Sequence, residues 1–426
     1  MTISTRTDTS TLIARSDLSM RDISPEIVAE QDRIVSLVRC GSYDREEVSN
    51  AVSECIGQLG GIGRYIKSGE KVAVKPNLLR AAPIDRAVTT HPEVVRAVCE
   101  LLLSQKCEVV IADSPGGGTP FTERALRRSY SESGLDKVAR ELGIELNFNL
   151  SFKTVAAPNG RIIKRFSIIR AALDADAIIS VPKLKTHLFT YMTGATKNTF
   201  GLIPGLEKAT FHSRLPEADD FSEMLVDLNE LVRPRLHVMD AVVAMEGNGP
   251  NAGKPRKIGA ILSSESFAAL DAAACMLMAI SPAEVGVIKA AVGRGLLRRD
   301  LSDLRIVGAD IQEMIVKDFK KPKSYIEARR SQSALWRALG RMSRAYALRP
   351  VMMKERCRGT ENCGECMRAC PRNAIRSRAD RPVVDYGKCI RCYCCHEICP
   401  ADAISLQRSF GGKIVKGMID RKTKEA

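Results

Sequence analysis

The chain has 426 residues and carries 65 Lys and Arg against 50 Asp and Glu, a formal net charge of +15. With 45% hydrophobic and 27% charged residues, it has a globular composition and length enough for two or three domains, which excludes a disordered chain, a collagen-like fibre and a coiled coil. It has no run of about 18 apolar residues, so no membrane-spanning helix is expected. Fourteen cysteines are present, nine of them between 357 and 399.

Residues 1–30 are Ser/Thr-rich and mixed in charge, without an apolar signal-peptide core, and read as a loose tail. From 31 to 316, short apolar runs alternate with amphipathic stretches. Strands are expected at 71–75, 107–112, 177–181, 236–240 and 258–262. A helix is expected over 92–103, with Val94, Val95, Val98, Leu101 and Leu102 on one stripe. Thr90 is its expected N-cap, with Glu93 completing a capping box. Ser281 and Glu284 repeat that signature ahead of a helix running to about 293, and Thr119-Pro120 marks another start. Strands alternating with helices imply an α/β domain, its sheet largely parallel and flanked by helices.

Eighteen Lys and Arg against six Asp and Glu lie between 317 and 381. Within 317–350, residues 325–348 read as a basic connector helix, with Arg329, Arg330, Arg337, Arg341 and Arg344 beside Leu335, Trp336, Leu339, Met342 and Tyr346. Gly340 weakens it by roughly 1 kcal/mol relative to Ala, and Pro350 ends it. An amphipathic connector between domains is the favoured reading, and peripheral contact with an anionic membrane surface the lesser one. Nucleic acid is disfavoured, because aromatics are only 5% and no binding motif is present.

The segment 351–410 holds the cysteine cluster, with a basic tail at 411–426. Cys389-x2-Cys392-x2-Cys395-x3-Cys399-Pro400 has the spacing of the bacterial ferredoxin run. Three thiolates on one loop reach three irons of a cubane, and the fourth points to a second cluster. Cys357-x5-Cys363-x2-Cys366-x3-Cys370-Pro371 has the same ending but three extra residues after its first cysteine. Asn373-Ala374-Ile375 and Asp402-Ala403-Ile404 follow the two runs, which marks an internal duplication. A small α+β domain holding two 4Fe-4S clusters is therefore expected. Cys357, Cys363, Cys366 and Cys399 would hold one, and Cys389, Cys392, Cys395 and Cys370 the other. Cys394 is left over. Zinc is the competing reading, but four-cysteine zinc sites usually come as paired Cys-x2-Cys knuckles. A clustered set of thiols in a long chain argues for a reducing compartment, the cytoplasm.

Polar phrases follow the strands of the α/β region, where open sheets place their ligands. They are Lys75-Pro76-Asn77, Thr89-Thr90-His91-Pro92, Asp113-Ser114-Pro115 with the glycines 116–118, and Pro182-Lys183-Leu184-Lys185-Thr186-His187. Thr196-Lys197-Asn198 and Glu246-Gly247-Asn248-Gly249-Pro250 come further on. With these phrases (KPNLL, TTHPEVV, IADSPGG, PKLKTH, TKNTFGLIPG, MEGNGP and ALDA) the chain resembles domain-of-unknown-function family 362. The resemblance spans roughly 33–408. It implies an iron–sulfur protein whose C-terminal module is a two-cluster ferredoxin, and it implies no substrate.

Read from the residues, Lys75, Lys183, Lys185 and Lys197 either converge on an anion pocket or stand solvated at the surface. Asn77, Asp113, Ser114 and Asn198 are the polar candidates beside them. Glycines 116–118 either cradle a phosphate at a helix start or make a flexible turn. His187 is the candidate proton donor and Glu246 a candidate acid/base group. His91 is already explained by a helix start. These readings assemble into an iron–sulfur redox protein whose clusters relay electrons to a small anionic substrate. The alternatives are a non-catalytic ferredoxin-type carrier that docks a partner oxidoreductase, and clusters that only staple a small domain. The positive charge near the clusters suggests an acidic electron-carrier partner.

Overall fold

The computed structural model describes residues 33–322 and 349–407, apart from 117, 118, 120, 206, 216, 369, 371, 391–394, 396–398 and 402. Both expected tails and the connector helix over 325–348 lie outside the described residues, as do Cys392 and Cys394.

Period-two apolar patterning builds the sheet. Its strands are β1 Ile34–Arg39, β2 Lys71–Pro76, β3 Glu108–Ile111 and β4 Glu145–Leu146, followed by the side hairpin β5 Phe152–Ala156 and β6 Arg165–Ile169. Then come β7 Ala177–Val181, β8 Lys183–His187, β9 Tyr191–Thr193, β10 Leu236–Glu246, β11 Lys254–Ser264 and β12 Arg305–Gly308. The order is β12-β1-β11-β10-β7-β2-β3-β4, with β8 and β9 added beside β10. β2 pairs in parallel with β3 and β7, β3 with β4, β10 with β7, and β1 with β12. β11 runs against both of its neighbours. The sheet is thus largely parallel, as expected.

Alternate residues feed opposite faces. On one side Val72, Val74, Ile179, Val181 and Val238 pack under the helices Arg45–Gly57 and Pro92–Ser104. On the other, Ala73, Ile178, Met239 and Ala241 pack under the helices Ala218–Val232, Phe267–Leu277 and Gly286–Val292. Each parallel crossover returns through a helix, so the carboxyl ends of β2, β3 and β7 open on one edge.

Local signals shift in four places. The helix Pro92–Ser104 is capped by His91, whose Nδ1 accepts from the Glu93 amide at 3.3 Å. Thr90 instead binds loops together: its hydroxyl donates to Val181 O and accepts from the Asn77 amide. The helix expected at Thr119-Pro120 begins at Glu123, capped by Thr122. Ser281 makes no side-chain cap, and a 3₁₀ turn Pro282–Glu284 precedes the helix Gly286–Val292. The stretch after Pro182, expected as a loop, is strand β8, because β10 runs on beside it to Glu246.

The C-terminal module contains two antiparallel pairs. β13 Arg349–Met352 pairs with β16 Ile404–Gln407, and β14 Ile375–Arg378 with β15 Arg381–Val384. Pro350 sits opposite Leu406 inside the first pair, so it belongs to a strand and not to a helix end.

One ion pair braces the α/β core. Asp240, fully buried on β10, accepts from Lys183 Nζ at 2.7 Å, Tyr43 OH at 2.8 Å and the His91 amide at 2.9 Å. Tyr43 also stacks on His91, with ring centroids 3.6 Å apart. Removing one partner of a buried pair strands the other, at a cost of about 3–5 kcal/mol. Asp240→Ala should lose that much in chemical denaturation followed by circular dichroism. The double change Asp240→Leu with Lys183→Met should recover most of it. A loss under about 1 kcal/mol in the single variant would mean that Lys183 escapes to water.

Candidate functional site

Lysine ammonium groups rarely leave water unpaired, yet four lysines line one cavity at the strand ends. Lys75, Lys185, Lys197 and Lys208 surround about 420 Å³ of atom-free space, part of it open to solvent, with Asn77, Asp113, Ser114, His187 and Asn198. Eight of the ten expected α/β site residues therefore meet there, His187 among them. Lys183 lines no part of the cavity, because its amine is spent on Asp240 and Tyr43. Glu246 is also off the cavity. It ends β10, and its Oε2 accepts the Lys320 amide at 3.0 Å, fastening that segment to the sheet. Gly116 lines the cavity; Gly117 and Gly118 lie outside the described residues, and the next described helix begins at Glu123.

The lysines differ in what their hydrogens do. Lys75 is 3.0 Å from Asp113 Oδ1 and donates to Pro76 O at 2.7 Å. Burial lowers its pKa and Asp113 opposes that. Gly201 packs directly on this pair; a Cβ there would stand 2.2 Å from Asp113 Oδ1. Lys185 donates to Asn77 Oδ1 and Val88 O, both at 2.6 Å. Burial, then Lys183 and Lys197, push its pKa well down. Lys208 spends its hydrogens on Ser114 Oγ, Pro115 O and Ile203 O, and burial brings it to about 7. Lys197 has no hydrogen-bonding partner among the described residues. It lies 5.0 Å from the Phe200 ring and 5.5 Å from the Phe221 ring, and burial lowers it to about 8. It is the free cation of the cavity.

The short helix Ala195–Asn198 carries Lys197 and Asn198. Asp271 holds its start, accepting from the Ala195 amide at 2.6 Å and the Thr196 amide at 3.0 Å. Burial pushes this carboxyl up to about 6. His187 Nδ1 accepts from the Phe189 and Thr190 amides, which leaves the proton on Nε2. Burial, Lys197, His212 and Lys185 hold the ring neutral, far below its ordinary range. In this geometry His187 presents a neutral ring with Nε2–H as donor. Lys208, Thr193, Phe200 and Asp271 were missed. Lys208 looks like any lysine of a polar helix, and only the folded contact with Ser114 reveals it.

The second constellation is built from cysteine. Cys357, Cys363, Cys366 and Cys399 line one cavity, with about 400 Å³ of atom-free space, together with Met352, Pro382 and Ile404. This is the crossed-over ligand set read from the spacing. Burial, then the thiols of Cys357, Cys399 and Cys363, push Cys366 up to about 11, a crowding that ligation by iron relieves. The thiols stand around a volume; among the described residues no three such side chains close on a single ion. The duplication is visible in the bonding. The Ala374 amide donates to Cys370 Sγ and the Ala403 amide to Cys399 Sγ, each at 3.2 Å. These donors suit anionic sulfur, and the donor set fits a 4Fe-4S cubane. Of the other expected set, Cys370 and Cys395 pack against the same small apolar core of Ile375 and Ile404.

The three extra residues of the first run are anchored. Asp380 Oδ1 accepts from the Glu361 amide at 2.8 Å and the Thr360 hydroxyl at 3.0 Å, and Asp380 O accepts the Thr360 amide at 3.0 Å. Gly359 lies so close that a Cβ would stand 2.2 Å from Asp380 Oδ2. Two contacts seat the module on the α/β domain. Arg372 pairs with Asp220, and Ile390 packs on the main apolar core. Both residues flank cysteines of the second set. Asp220 precedes Phe221, the ring beside Lys197.

Asp380→Ala should free the 358–362 loop and lower the iron retained per chain after anaerobic reconstitution. Asp380→Asn, which keeps the accepting oxygen, should retain wild-type iron. Equal iron in all three proteins would remove Asp380 from this role.

Comparison with known proteins fits these two constellations. The family model "Domain of unknown function (DUF362)" matches residues 72–276, and the model "4Fe-4S binding domain" matches 382–405, over the second cysteine run. "Thylakoid-associated protein sll1697" of Synechocystis sp. is 31% identical over 291 residues, covering 68% of this chain and 88% of that protein. A ferredoxin of Methanothermococcus thermolithotrophicus is 37% identical over 54 residues, 12% of this chain and 88% of that protein. The solved lactate racemase apoprotein from Thermoanaerobacterium thermosaccharolyticum overlaps with a TM-score of 0.37 at 13% identity, over 58% of this chain and 57% of that one, too slight a likeness to carry an argument. By its identity with the Synechocystis protein over most of that protein's length, and by the match over 72–276, the chain belongs to the DUF362 family and carries a C-terminal 4Fe-4S binding domain.

Proposed function

We propose that the C-terminal module holds two 4Fe-4S clusters and that electrons pass from them to a small anionic substrate in the lysine cavity. The observation that carries this reading is Lys197, a cation without a hydrogen-bonding partner, aimed by Asp271 and framed by two rings in an anion-sized cavity. When bound, the clusters supply single electrons. The chain's residues do the rest. Lys197 attracts the substrate's oxyanion. His187 Nε2–H donates a hydrogen bond to oxygen that gains charge on reduction. Lys197, with a pKa near 8, supplies the proton that accompanies the electrons. The remaining lysines keep their own hydrogens engaged, and burial weakens the charge on Lys185 and Lys208. The seat at Arg372 and Ile390 supports a route into this domain in preference to a carrier that only shuttles. Free buried thiols at Cys40, Cys55, Cys99, Cys107 and Cys275 support a reducing compartment, the cytoplasm. Among the described residues no helix is long and apolar enough to cross a membrane.

Iron counting on anaerobically purified chain should give about eight irons; zinc or four irons would sink the two-cluster relay. Oxalate and inorganic phosphate serve as probes of the cavity by titration calorimetry. A lysine depressed to about 8 is cationic below that value and loses its charge as pH rises through it. Probe affinity should therefore fall between about pH 7 and 9. Lys197→Met should weaken binding at least about tenfold, or about 1.4 kcal/mol, reduce the fall in affinity centred near pH 8 and leave the iron content unchanged. Unaltered affinity in Lys197→Met would reject the cavity as the substrate site.

A further inference from the structure

The hairpin of β14 and β15 has two unlike faces. Residues paired across strands share a face, and here the pairs are Ile375 with Val384, Arg376 with Val383, Ser377 with Pro382, and Arg378 with Arg381. The inner face, Ile375, Ser377, Pro382 and Val384, turns toward the module, and Pro382 itself lines the Cys357–Cys363–Cys366–Cys399 cavity. The outer face consists of Arg376, Arg378, Arg381 and Val383. Val383 is 48% exposed, unusual for a large aliphatic side chain.

This outer face carries unbalanced charge. Arg378 and Arg381 stand directly opposite each other, an arrangement of like charges that costs stability. Arg381 turns to the carbonyls of Lys354 and Cys357. Arg376 and Arg378 have no ion-pair or hydrogen-bonding partner among the described residues. Asp380 in the turn bonds Thr360 and Glu361 and attracts Arg381, which leaves Arg376 and Arg378 without an ion pair among the described residues. An exposed aliphatic side chain ringed by unpaired arginines, one strand away from the cysteine cavity, is built to meet acidic protein surface. The other cysteine set is already seated on the α/β domain through Arg372 and Ile390.

We propose that the Arg376–Arg378–Arg381–Val383 face is the docking surface for an acidic protein electron carrier, which reduces the cluster held by Cys357, Cys363, Cys366 and Cys399. This rests on the relay reading above. The carrier gives up one electron and the cluster core passes from its 2+ to its 1+ state, with no other bond made or broken. The second set then faces inward, and the module has a defined entry and exit.

The test uses the full, iron-loaded chain and a reduced acidic flavodoxin, with cluster bleaching followed by stopped flow. Wild-type reduction should slow as salt rises, since opposite charges steer the encounter. Arg376→Glu with Arg378→Glu should lower the second-order rate at low salt by at least about tenfold and remove its fall with salt. Val383→Glu, which keeps every arginine, should slow it as well. Iron content and photoreduction by a small neutral deazaflavin should be unchanged in both. Wild-type rates and salt dependence in the charge-reversed variant, with clusters that reduce normally, would overturn this surface alone. A wild-type chain without reducible clusters would overturn the relay and the surface together. Equal slowing with deazaflavin would trace the effect to cluster damage and overturn the docking role.

Discussion

The charge buried at the carboxyl edge of the sheet is the constraint on which the rest of the structure depends. Withdrawing an ammonium from water costs several kcal/mol unless a partner repays it. Lys75 and Lys183 are offset in part by Asp113 and Asp240. Lys185 and Lys208 are repaid by neutral oxygens. Those partners dictate positions far apart in sequence. Asp240 draws Tyr43, His91 and β8 to one point, Asp113 fixes Leu78 through its amide, and Gly201 must lack a side chain so that the Lys75–Asp113 pair can close. Lys197 is left without repayment among the described residues. Burial therefore carries an electrostatic cost at Lys185, Lys197 and Lys208, which lowers the pKa of each.

The cysteine module answers a different difficulty. A small domain has little apolar surface to bury, and here Ile375, Ile404 and Cys395 form almost the whole core. Cysteine ligation supplies the missing cohesion, and duplicated geometry makes it economical: the same Ala amide reaches the same fourth cysteine in each half. The first half departs from this symmetry by three residues, and a hairpin carboxylate, Asp380, absorbs the departure. The same carboxylate also attracts Arg381 across the turn, so one side chain both holds the loop and offsets part of the charge of the basic face.

Spacing and periodicity carry far in this sequence, and they stop where geometry begins. The cysteine runs name their ligands because three thiols on one loop impose a near-fixed separation, and the cavity collects the same four. The parallel sheet follows from apolar runs alternating with helices. Lys183-Leu184-Lys185-Thr186-His187 defeats the reading, since charged residues in alternation signal a loop or an exposed edge. Here they form a fully buried strand, because Asp240 and Val88 O lie within reach only after folding. Glu246 failed in the opposite sense: a carboxylate among turn residues suggested chemistry, whereas it holds the Lys320 backbone. His187 lines the cavity, but its protonation depends on two amides, two and three residues on, and on neighbouring cations that only the fold brings near.

The two constellations are joined by few atoms, and their sequence neighbours make the joint directional. Arg372 follows Cys370 by two residues and Ile390 follows Cys389 by one, so any motion of the module about these contacts carries the second cysteine set with it. On the opposite side of the contact, Asp220 lies in the first turn of the helix Ala218–Val232, and the next residue, Phe221, stands beside both Lys197 and His212. One ion pair and one ring therefore lie between the cysteine module and the cavity. The pKa of a lysine held between aromatic rings answers to the local field, because burial and nearby charge set how far its ammonium form is favoured.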